Sequence, residues 1–87
     1  MSGTIADVKA QLDEAFRRTE EVAGQLEGAL SMIEEAQAMV IAATDGSEHR
    51  AVEQLTSALV ETRDTLQMSL ASLGSAVQEV RDYRDGL

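Results

Sequence analysis

Cysteine is absent from this chain, so it has no disulfide framework, no thiol nucleophile and no thiolate metal site. Proline is absent too, and glycine occurs only six times in 87 residues, which removes the usual interruptions to long helices. Aromatic residues are limited to Phe16 and Tyr83. A core this poor in rings is built from aliphatic and alanine layers, as in helix bundles, rather than from the strands of a sandwich or barrel. Basic residues are few: 7 Lys and Arg against 16 Asp and Glu, for a formal charge of −9. A nucleic-acid reader needs a cationic stripe, and an anionic membrane surface attracts basic segments, so neither is expected as a partner. No run approaches the ~18 apolar residues of a spanning helix. The N-terminus shows neither a basic n-region nor an apolar h-region, so the protein is expected in the cytoplasm or secreted without an N-terminal signal peptide.

What the chain does have is heptad periodicity, interrupted once at Asp45-Gly46-Ser47. In the first register Ile5, Leu12, Thr19, Leu26, Ile33 and Val40 fall at a, and Val8, Ala15, Val22, Ala29, Ala36 and Ala43 at d. In the second, Val52, Leu59, Leu66, Leu73, Val80 and Leu87 fall at a, and Leu55, Thr62, Ser69, Ala76 and Tyr83 at d. Apolar residues repeating every 3.5 positions form a stripe that a helix hides against another helix. Carrying the first frame through the break puts Ser47, Gln54, Glu61 and Met68 at a, so the frame fails there and a helix-turn-helix hairpin is favoured over one continuous rod. The expected fold is all-α: a single domain over residues 1–87, folded as an antiparallel two-helix hairpin.

Thr4 is placed to cap the first helix, with Asp7 three residues on. That helix is expected over residues 4–44 and the turn over 45–47, with Gly46 as its left-handed closing residue. The second helix is expected over residues 48–84, capped by Ser47, with Glu48 at its positive end and Arg81 and Arg84 at its negative end. At 1.5 Å per residue each arm is ~55–60 Å long. On the first helix, b and c carry Asp7, Asp13, Glu14, Glu20, Glu21, Glu27, Glu34 and Glu35, which this register sets opposite the seam. The acids divide mildly between the halves, as a solvated surface requires and no more.

The apolar stripe is wider than one hairpin needs. Phe16, Ala23 and Leu30 widen it on one flank of the first helix, Met32 and Met39 on the other, and Leu70 and Val77 widen it on the second. Roughly three apolar positions in seven suit a bundle of more than two helices, so two hairpins are expected to dimerise into a four-helix bundle. The residues expected at that interface are Phe16, Leu26, Leu30, Ile33, Leu59, Leu66, Leu70 and Leu73. Met32, Met39, Ile41, Val60 and Met68 form a possible partner patch toward the turn. Gly24 and Gly28, one turn apart, together with Gly74, mark either tolerated bends or a shallow saddle for a partner helix, with Met68 placed across from Gly24 and Arg18 across from Gly74.

Chemistry is harder to find. His49, the single histidine, lacks the Glu-x-x-His pairing of di-iron bundles, because residue 46 is Gly and residue 52 is Val. With Asp45, Gly46 and Ser47 it belongs to the turn, as a surface or turn-packing residue or as a contact at the hairpin tip. The carboxylates lie on convex faces rather than across a cleft, and no phosphate-binding glycine motif occurs. No catalytic, metal or cofactor-binding residue is assigned, no cofactor is expected, and an enzyme is not expected.

Two long helices, a turn reading Thr44-Asp45-Gly46, no cysteine, an acidic balance and Tyr83 near the C-terminus together resemble the small WxG-type, early-secreted-antigen-like hairpins of type VII secretion. The likeness covers nearly the whole chain and rests on architecture. The turn keeps the glycine of Trp-x-Gly without the tryptophan, and Tyr83 is followed four residues later by Leu87 where that family has an acid. The resemblance implies antiparallel homo- or heterodimers with a similar helical hairpin and export without an N-terminal signal. The function expected is therefore non-enzymatic protein–protein interaction, as a small type VII-like partner or substrate. The alternative is a cytoplasmic assembly or adaptor protein, a homodimeric helical bundle that is not exported.

Overall fold

A computed structural model of the chain describes residues 3–45 and 49–87. It contains two helices and, among the described residues, no strand: α1 (Ile5–Ala43) and α2 (Arg50–Asp85). Asp13 and Glu20 of α1 reach Arg84 and Arg81 of α2, so the helices run antiparallel as a hairpin. The molecule is 64 Å long and 18 by 16 Å across. Its radius of gyration is 19.6 Å, against about 12 Å for a compact domain of this length.

The start of α1 follows from its cap. The Thr4 hydroxyl accepts a hydrogen bond from the Asp7 N–H at 3.1 Å, and Asp7 supplies negative charge to the first turn. At the other end the Thr44 N–H donates to the Val40 carbonyl at 3.0 Å. The second helix departs from expectation. It begins at Arg50, and its cap is His49, whose Nδ1 accepts the Ala51 N–H at 3.1 Å. An unprotonated ring nitrogen satisfies an orphan donor of the first turn as a hydroxyl would. Gly46, Ser47 and Glu48, on which the expected turn and cap were placed, lie outside the described residues. The helix ends at Asp85, one residue past the expected limit, with Arg84 in its last turn.

The seam is rotated from the expected one. The residues that α1 turns toward α2 are Leu12, Phe16, Thr19, Ala23, Leu26, Leu30, Ile33, Gln37 and Val40, a and e rather than a and d. On α2 the half-buried line is Val52, Thr56, Leu59, Arg63, Leu66, Leu70, Leu73 and Val77, again a and e. Of the residues assigned to d in the sequence frame, Val8, Ala29 and Ala36 are half-buried, whereas Ala15, Val22, Ala43, Leu55, Thr62, Ser69, Ala76 and Tyr83 are exposed. Side-chain size accounts for the rotation: e carries Phe16, Leu30, Leu70 and Val77, where d carries Ala15, Ala29, Ser69 and Ala76, and hydrophobic stabilisation scales with apolar area buried. Phe16, 9% exposed, is the single buried hydrophobic among the described residues.

The rotation also turns the b positions toward one rim of the seam. Asp13 receives two hydrogen bonds from Arg84, at 2.7 and 2.9 Å, and Glu20 receives one from Arg81 at 3.0 Å. These acids bridge the helices instead of standing opposite the contact. Arg81 also covers the Phe16 ring, 4.9 Å from its centroid. Arg17 and Arg18 converge on Glu14 within α1, at 2.6 and 3.2 Å. The Arg17 hydrogen bond holds the Glu14 carboxyl below its ordinary range, and the same pair raises Arg17. Pairs this exposed order the helix surface and add little stability.

Candidate functional site

Rotating both seams to a and e leaves two unlike long faces on the hairpin. With 100° between successive residues, d lies to one side of the a/e line and b to the other. Because α1 and α2 run in opposite directions, the two d rows fall on the same side of the molecule. The structure bears this out: Ala15 of α1 and Ala76 of α2 line one shallow groove with Leu12, Leu73 and Val80. On the opposite side Glu20 and Glu27 line a cleft with Gly74 and Leu70.

The b side is the charged one and carries the Asp13–Arg84 and Glu20–Arg81 bridges. The d side, bounded by g, is almost without charge. Among the described residues Arg18 and Glu79 are the two charged side chains at its d and g positions, and the rest are Ala, Val, Leu, Met, Ser, Thr, Gln, Gly86 and Tyr83. It is also where large apolar side chains reach solvent. Val22 is 47% exposed, Leu55 49%, Met32 70%, Met39 71% and Tyr83 61%. Ile5 and Val80 at a are exposed beside them. Of the other exposed large hydrophobics, Ile41 lies on the b side and Met68 at the outer edge of α2.

The residues expected to carry function are redistributed accordingly. Phe16, Leu26, Leu30, Ile33, Leu59, Leu66, Leu70 and Leu73 are all buried or half-buried at seam positions, where the hairpin's own second helix occupies them. The possible partner patch is divided. Met32 and Met39 stand on the uncharged face, Ile41 and Val60 on the charged one, and Met68 borders a groove with Thr65, Ser69 and Ser72. Asp45 and His49 are exposed at the turn end. Val22, Leu55 and Tyr83 were legible as apolar heptad residues but were assigned to the seam. The signal that separates them is the bulk of the competing e row.

The glycines are not aligned as the sequence register placed them. Gly74 shares its cleft with Ala23 rather than lying across from Arg18, so Gly24 sits near the level of Leu73 and not of Met68. A Cβ added at Gly24, Gly28 or Gly74 would meet nothing within 4 Å. Gly24→Ala and Gly28→Ala are therefore each expected to add about 0.5–1 kcal/mol to stability, read from urea denaturation. A loss at either position would show that the backbone there needs glycine.

Among the described residues no three His, Asp or Glu side chains are grouped to hold a metal ion, and no helix is long and apolar enough to cross a membrane. Compared with models of protein families, with curated proteins and with solved structures, the chain matches none.

Proposed function

We propose that the protein is a non-enzymatic protein–protein interaction module that works by docking its helical surface against another helical chain. The observation that carries this reading is the large apolar surface the hairpin leaves open. The accessible surface is 6460 Å², against about 5,000 Å² for a compact monomer of this mass. The excess includes Val22, Met32, Met39 and Leu55, a concentration of apolar side chains that marks interaction surfaces. The partner is a protein, either a second hairpin of the same kind or a different helical chain, and no cofactor is needed. The hairpin architecture supports a small partner or substrate of type VII-like secretion as the form this takes. Leu87, standing where that family's export signal has an acid, favours the second reading, a cytoplasmic assembly or adaptor protein.

Thermal unfolding followed by circular dichroism tests the module reading. It is run over a hundredfold range of chain concentration, then again with the chains that co-purify from native cells. The midpoint is expected to climb with the concentration of whichever chain is the partner, because binding stabilises the folded state by mass action. A cooperative transition that responds to none of them overturns the proposal. Export is separated by culture supernatants: appearance there, lost when the last turn with Tyr83 is deleted, fits secretion, and strict retention fits the adaptor.

A further inference from the structure

Resting on that reading, we propose that the occupant of the uncharged face is a second copy of this chain, related by a two-fold axis along the hairpin's length, so that α1 of each copy lies over α2 of the other. Three observations on this face converge.

The first is electrostatic. Each copy carries −9, so two copies repel unless the contact avoids their carboxylates. Among the described residues the d and g face avoids them, presenting Arg18 and Glu79 as its charged side chains. Asp13 against Arg84, and Phe16 beneath Arg81, fix the level of the hairpin, and by that register Arg18 and Glu79 sit side by side on the two helices. A two-fold along the length keeps every level and exchanges the helices. Arg18 of each copy then meets Glu79 of the other, at the g positions that flank antiparallel helix pairs. A two-fold across the length, centred at the level of Ser69, instead sets Arg18 near Met39 and Glu79 near Ala58, and pairs neither charge.

The second is shape. The same register sets large residues against small ones: Leu55 over Ala43, Tyr83 over Ala15, Val22 over Ala76, Met32 over Thr65 and Met39 over Ala58. Alternation of this kind lets layers interdigitate. The crosswise axis sets Leu55 against Tyr83 and leaves Ser69 against itself. The third is area. The molecule is 64 Å long and 18 by 16 Å across, so a face that runs its length has room for the ~800 Å² per partner of a standard stable interface.

The full chain, which has no native cysteine, is tested by mixing Ala29→Cys and Ser69→Cys variants under mild oxidation. The lengthwise axis brings these positions together, so the mixture should give a disulfide between the two variants and Ser69→Cys alone should give little. Charge exchange is read as a dissociation constant by sedimentation. Arg18→Glu and Glu79→Arg should each weaken the dimer about tenfold, and the double variant should return to within about twofold of the parent. Glu79→Arg is decisive because it moves the net charge from −9 to −7, which would strengthen association if only overall repulsion mattered. Ready self-coupling of Ser69→Cys, or tighter dimers from Glu79→Arg, overturns the lengthwise arrangement. A chain that stays monomeric, yet is stabilised by a co-purifying protein, overturns the second copy as occupant while leaving the interaction module standing.

Discussion

Phe16→Ala is expected to lower the stability of the hairpin by about 3–4 kcal/mol, the lower part of the range for truncating a buried phenylalanine. Phe16 is the single buried hydrophobic among the described residues and stands where the open end of the hairpin is held. Its ring fills the angle between the helices beneath the Arg81 guanidinium. Removing it takes away the apolar contact and the cation–π contact together, the latter worth about 0.5–1 kcal/mol at an exposed site. Arg81 retains Glu20, and Arg84 retains Asp13, so the ion pairs outlast the ring. Exposed pairs do not replace a lost apolar anchor. Phe16→Leu, which keeps most of the buried area, is expected to cost about half as much. Urea denaturation monitored by circular dichroism gives both values. A loss under 1 kcal/mol for the alanine variant would show that the two arms are joined by something other than this packing.

The same residue explains how far the sequence could be read. The hairpin was legible because the heptad frame breaks at Asp45-Gly46-Ser47, and the Thr4 cap because a hydroxyl with an acid three residues on is a local signal. The rotation of the seam was not. A stripe centred on a can extend toward d or toward e, which lie about 100° apart around the helix, and a count of apolar positions weighs Ala15 and Phe16 alike. Packing weighs them by area, and Phe16, Leu30, Leu70 and Val77 decide for e. Once e is inside, much of d turns outward, with Val8, Ala29 and Ala36 still half-buried, and Val22, Leu55 and Tyr83, first assigned to the seam, join the exposed face. The His49 cap was missed for a different reason. Serine and threonine are the expected caps, and an imidazole nitrogen acting at the same position has no comparable signature in the sequence.

Leu66→Glu tests the seam where both readings of the register agree. Leu66 is at a, half-buried, and by the level of the Asp13–Arg84 bridge it faces the stretch of α1 that holds Leu30 and Ile33. A carboxylate there loses solvation, and Arg63, one turn back on the same line and already paired with Asp64, offsets only part of that loss; the expected cost is about 3–4 kcal/mol, enough to unfold a marginal hairpin or separate its assembly. Two controls divide that figure. Leu66→Ala removes the apolar contact without adding charge and should cost about 2 kcal/mol, leaving the remainder to the buried carboxylate. Met68→Glu adds the same charge two residues away, where the side chain is 71% exposed, and should shift stability by no more than about 0.5 kcal/mol. Loss of helicity in Leu66→Glu beside an unchanged Met68→Glu, measured by thermal unfolding at fixed concentration, is the expected pattern. Equal effects from the two glutamates would mean that charge alone governs stability in this acidic chain, and that the a and e seam is not what holds the arms together.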